Sequence, residues 1–373
     1  MIDFFGLGYD AAEQMGVLPR LQGLAASIDE LVYVGSDGRR RAGADYRRFA
    51  QSLDGRLLSI MRPDIERALR EQVLGRVDLR YGCSVAAADD RGEGDSSAHV
   101  HPVHVELTDG ASVDADLLVG ADGLHSGVRG LVFGPEERFL RYLGLHTAAY
   151  TFDYPGVLAE VGDRFALTDT IDRMVGLYGL PDGRVAAFTV HRSARFEPPD
   201  DTRSAVQATY ASLGWVVPDA LERCPPSKEL YYDQVAQVEV PTWHRGRVVL
   251  TGDACGAVSL LAGQGASLAV AGAFVLGEQL ATAPSVPEAL VRYERAWQPV
   301  VASKQRVGRD GIEWFLPSSM TRLLLRRVLL RLTSVPGLDR LVGNGLVGKT
   351  RASLDDLSGG RAALAGTLSP GRP

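Results

Sequence analysis

The sequence predicts an α/β fold with an antiparallel sheet inserted into it, and three observations carry that prediction. Leu117-Leu118-Val119 and Val248-Val249-Leu250 are short runs apolar on both faces, the pattern of central parallel strands. Ala266 to Leu280 is an almost wholly apolar helical stretch, which reads as a buried helix. From about 146 to 240 the texture changes: Val175 to Leu180 and Val185 to Val190 flank Pro181-Asp182-Gly183, a hairpin signature.

The remaining elements follow in chain order. Asp10 to Met15 reads as a short helix, and Leu31-Val32-Tyr33-Val34 as a strand closed by the turn Ser36-Asp37-Gly38. Gly55 to Ile60 predicts another strand. Arg62-Pro63-Asp64 then opens a helix: Pro63 fits the first helical position, and Asp64 and Glu66 suit the positive N-terminus. Ile65, Ala68, Leu69 and Val73 supply its apolar stripe. Val77 to Ala87 reads as a strand and Gly92 to Ser97 as a polar loop. Val103, Val105 and Leu107 alternate with polar residues, and Thr108-Asp109-Gly110 turns the chain back. Thr202 to Leu213 predicts a short helix. In Leu323 to Leu332, blocks of Leu alternate with Arg; the expectation is a helix packing its apolar face onto the domain with its arginines solvated, rather than one lying on a membrane. The tail from Gly359 is expected to be loose.

Composition bounds the function. The 373 residues suggest two or three domains with ample core. Forty Lys and Arg against 46 Asp and Glu leave a net charge of −6, which argues against a nucleic-acid or anionic-membrane partner. No membrane span is expected, because no apolar run is read as reaching the ~18–20 residues one needs. The start lacks a positive region before an apolar stretch, so no signal peptide is predicted. Cys83, Cys224 and Cys255 are too few and scattered for a disulfide framework or zinc site, which leaves the cytoplasm as the expected compartment. His99, His101 and His104 alternate along a strand without acidic or Cys partners at ligand spacing, so no metal is expected.

Two strings carry chemistry. In Gly120-Ala121-Asp122-Gly123-Leu124-His125-Ser126-Gly127-Val128-Arg129, an Asp sits at the carboxyl end of an apolar strand, where open α/β sheets bind ligands. Gly123 permits close backbone approach, Asp122 is an acceptor for a ribose or a side chain, and Arg129 either pairs with a phosphate or braces the motif. His125 reads as a surface-loop residue. In the second string, Gly246-Arg247-Val248-Val249-Leu250-Thr251-Gly252-Asp253-Ala254, an Asp again closes a buried strand. Gly263-Gln264-Gly265-Ala266-Ser267 then feeds the buried helix, whose N-terminus offers unpaired N–H groups and partial positive charge. The bland alternative, a strand-to-helix turn with a capping Asp, fits either string alone better than it fits both.

Residues 115–134 resemble the DG motif, and residues 246–281 the GD motif, of the flavin-dependent aromatic hydroxylases, the p-hydroxybenzoate-hydroxylase-like group A monooxygenases. Tyr232-Asp233-Gln234 and Val240-Pro241-Thr242-Trp243 resemble the segment leading into the GD motif, and Ser59 to Leu69 the family's helix whose first-turn Arg lies near the flavin. Gly272-Ala273 is most similar to the subgroup containing tetracycline-inactivating monooxygenases. The resemblance implies a glutathione-reductase-like FAD-binding fold. Residues 1–25, 56–145 and 241–300 would form a discontinuous FAD-binding domain, 26–55 and 146–240 the substrate domain, and 301–373 a C-terminal helical region. It implies FAD as cofactor, NADPH or NADH as transient co-substrate and O2, with a C4a-hydroperoxyflavin hydroxylating an aromatic or polyketide-like small molecule. Arg62, Asp122, Gly123, Arg129, Gly252, Asp253, Gly263, Gln264, Gly265 and Ala266 are the cofactor-binding residues it implies, with Asp253 on a ribityl hydroxyl and Arg62 on the ribityl–phosphate region. No catalytic residue is assigned; Tyr150, Phe152 and Tyr178 are candidates to line the pocket.

The chain also departs from the family pattern. Cys255-Gly256 stands where Ala-His is usual, and Ser259-Leu260 where Ser-Pro is usual; a missing proline loosens a loop beside the flavin. The family opens with a strand, Gly-x-Gly-x-x-Gly and a helix. The one match, Gly6-Leu7-Gly8-Tyr9-Asp10-Ala11, follows a strand too short and too polar at Asp3, and Asp10 would repel a diphosphate, so it is read as a decoy. Roughly forty residues holding the opening βαβ unit are therefore expected to be absent before Met1, through a misplaced start codon or a real truncation. The chain as written is expected to bind FAD weakly or not at all. An inactive fragment, or another flavin oxidoreductase of the same fold such as a reductase of isoprenoid double bonds, is the alternative.

Overall fold

Among the described residues, the alternation of apolar runs with glycine turns resolves into four sheets and their covering helices. The computed structural model describes residues 1–90, 103–259, 263–333 and 353–358. In chain order come β1 (Ile2–Phe5), α1 (Leu7–Gln14), α2 (Leu18–Gln22), β2 (Glu30–Val34), β3 (Arg40–Asp45), α3 (Tyr46–Ser52), β4 (Leu57–Ile60) and α4 (Arg62–Val73). Next are β5 (Val85–Asp90), β6 (Val103–Leu107), β7 (Ser112–Ala115), β8 (Leu118–Gly120) and α5 (Gly127–Val132). The middle of the chain gives β9 (Leu140–Phe152), α6 (Pro155–Val161), β10 (Arg164–Thr170), β11 (Arg173–Gly179), β12 (Val185–Arg192), α7 (Thr202–Tyr210), α8 (Val217–Glu222) and β13 (Tyr231–Val238). The chain continues through β14 (His244–Arg245), β15 (Val248–Leu250), α9 (Asp253–Gly256), α10 (Gly265–Thr282), α11 (Val286–Asp310), α12 (Ile312–Phe315), α13 (Met320–Thr333) and α14 (Leu354–Ser358). The expected loop Gly92 to Ser97, His99, His101, Leu260 and the tail from Gly359 lie outside the described residues.

The two apolar runs, each expected as a central parallel strand, pair with one another. β8 and β15 pair in parallel, with Leu250 opposite Gly120, so the turns bearing Asp122 and Asp253 leave the same end of one small sheet. That sheet runs β14-β15-β8, which puts β8 at an edge among the described residues, and Val119 is 39% exposed rather than covered on both faces. The inserted sheet has seven strands in the order β13-β9-β12-β11-β10-β2-β3, antiparallel except between β10 and β2. One of its faces packs Tyr150, Phe152 and Val185 against Val157 of α6, Tyr210 of α7 and Leu221 of α8. The other packs Leu145, Leu167, Met174 and Val235 against Leu316 and Leu330 of the C-terminal helices.

Three expectations need correction. No strand forms over 77–84, because Val77, Leu79 and Tyr81 are exposed and have no core to enter; β5 starts only at Val85. α13 solvates only some of its arginines: Arg322 and Arg331 are exposed, but Arg326 is buried on the ring of Tyr33, and it and Arg327 both pair with the buried Asp169, while Leu324, Leu325 and Val328 face outward. A buried carboxylate needs that charge and so sets which face of the helix turns in. Finally, α10 alone among the described helices is long and apolar enough, at 18 residues, to cross a membrane by length and composition; in this fold it packs between α1 and α11.

The Gly6-to-Ala11 string is not the first turn of a parallel sheet. β1 pairs antiparallel with β4, and the second glycine of the string serves helix packing. A Cβ on Gly8 would lie 2.4 Å from the Ser267 Cα, where α1 crosses α10. Backbone cannot yield as a side-chain tip does, so this clash outweighs the better helix propensity of alanine. Gly8→Ala is expected to lower stability by about 1–3 kcal/mol, read as a lower urea midpoint at unchanged slope.

Candidate cofactor-binding site

The GD turn builds the site around Asp253. Gly252 turns at φ 61°, a left-handed conformation that suits glycine, and directs Asp253 into the first turn of α9 beside the start of α10. Burial raises the Asp253 carboxyl above the ordinary range, and the nearby Arg62 guanidinium pulls it partly back. Among the described residues the carboxylate accepts no hydrogen bond. The α10 N-terminus likewise has no side-chain cap; Gln264 stands at its cap position. Gly265 follows, with the Asp253 Oδ1 4.0 Å from the position its Cβ would take, while Ala266 packs inward beside the small cluster around Phe4 and Ile60. Gly263 turns at φ 61°, and a Cβ placed on it would meet nothing within 4 Å, so its backbone is open to close approach. Arg62 opens α4 with a side chain whose charge reaches both Asp253 and Tyr231.

The DG string lies against this turn and does a different job. Asp122 accepts from the Val128 N–H at 3.0 Å and from the hydroxyl of Ser126, which is the N-cap of α5 and itself accepts from the Arg129 N–H at 3.0 Å, so Asp122 supports the helix start from one residue back in the bonding chain. Gly123, at φ 85° with open space around it, remains accessible to a ligand. Arg129 was expected among the cofactor-binding residues, but its side chain does not face the crevice. It is fully buried, donating to the Ala254 carbonyl at 3.0 Å, the Leu124 carbonyl at 2.8 Å and the Glu136 carboxylate at 2.9 Å. Of its two possible roles the geometry shows bracing: the guanidinium ties the DG string to the GD turn.

His125 is more than a loop residue. Its Nδ1 lies 3.0 Å from Glu136 and its Nε2 3.3 Å from Asp233 on β13, so it joins the DG string to the inserted sheet. Sequence reasoning missed Tyr231 and Glu136. The period of two along β13 places Tyr231 on the same side as Asp233, and that was the available signal. Burial, then the Asp233 carboxylate, push the Tyr231 phenol up to about 12. The pocket candidates divide: Tyr178 clusters with Met61 next to Arg62, whereas Tyr150 and Phe152 sit on the far face, with the Tyr150 hydroxyl donating to the Ala220 carbonyl at 2.8 Å.

The set fits the flavin nucleotide expected from the sequence. Asp253 is a half-buried acceptor lacking a donor among the described residues, the α10 start has no side-chain cap, and Gly123 and Gly263 leave room where a side chain would intrude. A void of ≈ 10 Å³ lined by Gly252, Asp253 and Gly265 holds about one water. A larger groove of ≈ 490 Å³ lies behind the turn, between Trp243 and α11, and does not reach Asp253.

Comparison with known proteins agrees with this geometry. A family profile described as an FAD binding domain matches residues 9–306. An uncharacterized protein of Mycobacterium tuberculosis is 31% identical over 319 residues, 83% of this chain and 82% of its own length. A flavin-dependent monooxygenase from an unknown prokaryotic organism is 26% identical over 325 residues, 84% of this chain and 79% of its own. Among solved structures, a tetracycline destructase superposes with a TM-score of 0.72 at 25% identity, covering 88% of this chain and 84% of its own. The Klebsiella pneumoniae protein HpxO, in complex with FAD and uric acid, gives 0.74 at 21% identity over 97% of this chain and 88% of its own, a likeness of fold. The chain belongs to the FAD-binding-domain family, as a flavin-dependent monooxygenase of the group A type with the glutathione-reductase-like fold.

Proposed function

We propose that this chain uses FAD, NADPH or NADH, and O2 to hydroxylate an electron-rich aromatic or polyketide-like small molecule, in the cytoplasm. The observation that carries the reading is the Asp253 carboxylate, half-buried without a hydrogen-bond donor among the described residues and set at the uncapped start of α10. On the inserted sheet Phe165, Tyr178 and Phe188 form an aromatic ledge, Phe165 having ring centroids 5.8 Å from Tyr178 and 5.7 Å from Phe188, and Phe165 and Tyr178 pack with Met61, the residue before Arg62. Bound flavin supplies hydride acceptance and oxygen activation. The chain's own residues supply the rest. Asp253 accepts a hydrogen bond from a ribityl hydroxyl. Arg62 offers a positive charge toward the phosphate side. The amides of Gly265 and Ala266 face the electron-rich edge of the ring. Gly123 lets backbone approach the nucleotide. The apolar sheet face excludes water and packs a flat substrate. The relatives named as flavin-dependent monooxygenases, and the tetracycline destructase, support the substrate class.

The test is reconstitution. The sequence alone leads to an expectation of weak or no FAD binding; with Asp253 and the start of α10 in place, FAD titrated into the purified chain is instead expected to give a yellow complex near one flavin per chain. NADPH or NADH oxidation is then expected to rise with phenolic or polyketide substrates, with label from isotopic O2 entering the product. A chain that stays colourless overturns the cofactor assignment. Reduction of a substrate double bond without label would instead favour the reductase reading.

A further inference from the structure

We propose that His125 is an interdomain positioning residue: held between Glu136 and Asp233, it fixes the Tyr231 end of β13, and with it the Tyr231 ring, against the crevice at Arg62 and Asp253. The placement of Tyr231 at a flavin crevice rests on the function proposed above; the clasp itself rests on geometry alone.

β13 is an edge strand. Its ladder partner is β9 on one side, and the sheet order leaves its other side without a strand among the described residues. Its Tyr231 end therefore depends on something other than a second ladder. His125 supplies that tie from a different segment: Nε2 at 3.3 Å from the Asp233 Oδ1, Nδ1 at 3.0 Å from the Glu136 Oε1. The Tyr231 hydroxyl donates to the Asp233 Oδ2 at 3.4 Å, so the carboxylate that holds the histidine also holds the phenol. Glu136 is fixed from behind by Arg129, whose other amino group reaches the Ala254 carbonyl beside Asp253. One connected set thus runs from the GD turn, through Arg129, Glu136, His125 and Asp233, back to Tyr231 at the same crevice.

The charges facing His125 are Glu136, from the turn after α5, and Asp233, from β13. Arg129 lies beyond Glu136 and is itself near Asp122, while Tyr231 lies beyond Asp233, within reach of Arg62 and Asp253. Partial burial disfavours the imidazolium, but Glu136 and Asp233 together outweigh that and raise its pKa. A raised histidine pKa contributes its stability fully below the ordinary histidine value, and loses it as pH rises through the raised one. The clasp is therefore closed at acid to neutral pH and slackens on the alkaline side, where a neutral imidazole donates to one carboxylate only.

His125→Gln keeps hydrogen bonding and removes the charge. At pH ~6, below the ordinary histidine value, it is expected to speed amide exchange of the Tyr231–Val238 segment several-fold and to lower Tm by about 1–3 °C. By pH ~9 both differences are expected to vanish, because the wild-type imidazole is then neutral as well. His125→Lys, charged throughout, is expected to restore acid-side protection and to make it independent of pH. If His125→Gln fails to fold, Asp233→Asn reads the same pair from the other side. Wild-type exchange and Tm in His125→Gln at pH ~6 overturn the proposal, and so does a difference of equal size at both pH values, the mark of packing without titration. These readouts need no bound flavin, so failure of the clasp and failure of the flavin assignment remain distinguishable.

Discussion

Arg129→Ala is expected to cost about 3–5 kcal/mol of stability, the usual loss when one partner of a buried ionic set is removed. Three acceptors lose the Arg129 donor at once: the Ala254 carbonyl, the Leu124 carbonyl and the Glu136 carboxylate, of which Glu136 keeps His125. Each carbonyl left dry costs on the order of 1–3 kcal/mol. Water entering the truncated space recovers part of that, so the sum stays within the stated range. The effect is also directional. The Ala254 carbonyl belongs to the turn that carries Asp253, so that turn is released from the DG string even in molecules that remain folded. Flavin retention is therefore expected to fall further than stability alone explains. Arg129→Lys separates charge from geometry: a single ammonium reaches Glu136 or a carbonyl, but cannot span all three as a planar fork does. It is expected to recover less than half of the lost stability. Urea midpoints for the three proteins, with FAD content measured at equal folded fraction, test this. A lysine variant equal to wild type would show that charge alone suffices.

The parts of the fold legible in the sequence were those set by local rules. Pro63 at a helix start, Pro181-Asp182-Gly183 between two strands, and two short apolar runs each ending in an Asp-bearing turn all report local backbone and burial preferences, and the structure has them. What the sequence hid was set by partners far along the chain. Val77 to Tyr81 has strand-like residues, but no neighbouring strand among the described residues is placed to pair with it. Arg326 and Arg327 of α13 looked solvent-bound until Asp169, 157 residues before Arg326, was brought beneath them. Tyr150 and Phe152 were rightly placed on the inserted sheet. Which face they occupy depends on α7 and α8, and strand periodicity alone does not reveal which face the core takes. The same limit applied to the site. Asp253 and Arg62 were singled out from their motifs, and the fold sets them near one another, whereas the inward turn of Arg129 and the reach of His125 to Asp233 required the fold.

Asp253→Asn is expected to move stability and cofactor affinity in opposite directions, a combination that a merely structural carboxylate does not produce. Burial raises the Asp253 pKa in the folded chain, with Arg62 as partial compensation. The ionised carboxylate is thus disfavoured on folding, and the penalty is full above the raised pKa and absent below the unfolded value. Asparagine removes it, so near pH 7 the ligand-free chain is expected to gain stability within the ~0.5–2 kcal/mol typical of relieving a functional residue. That gain is expected to fade as pH falls and wild-type Asp253 takes up its proton. Affinity runs the other way. A hydrogen bond to a charged acceptor contributes about 1.5–3 kcal/mol, so Asp253→Ala is expected to weaken FAD binding about 10–100-fold. Asparagine, which still presents a carbonyl oxygen, is expected to fall between alanine and wild type. Urea denaturation without FAD and flavin-fluorescence titration on the same preparations give both numbers. A destabilised Asp253→Asn with unchanged FAD affinity would show that the carboxylate serves the α9 turn and not the cofactor. Greater stability with weaker binding shows a strained acceptor kept for its ligand.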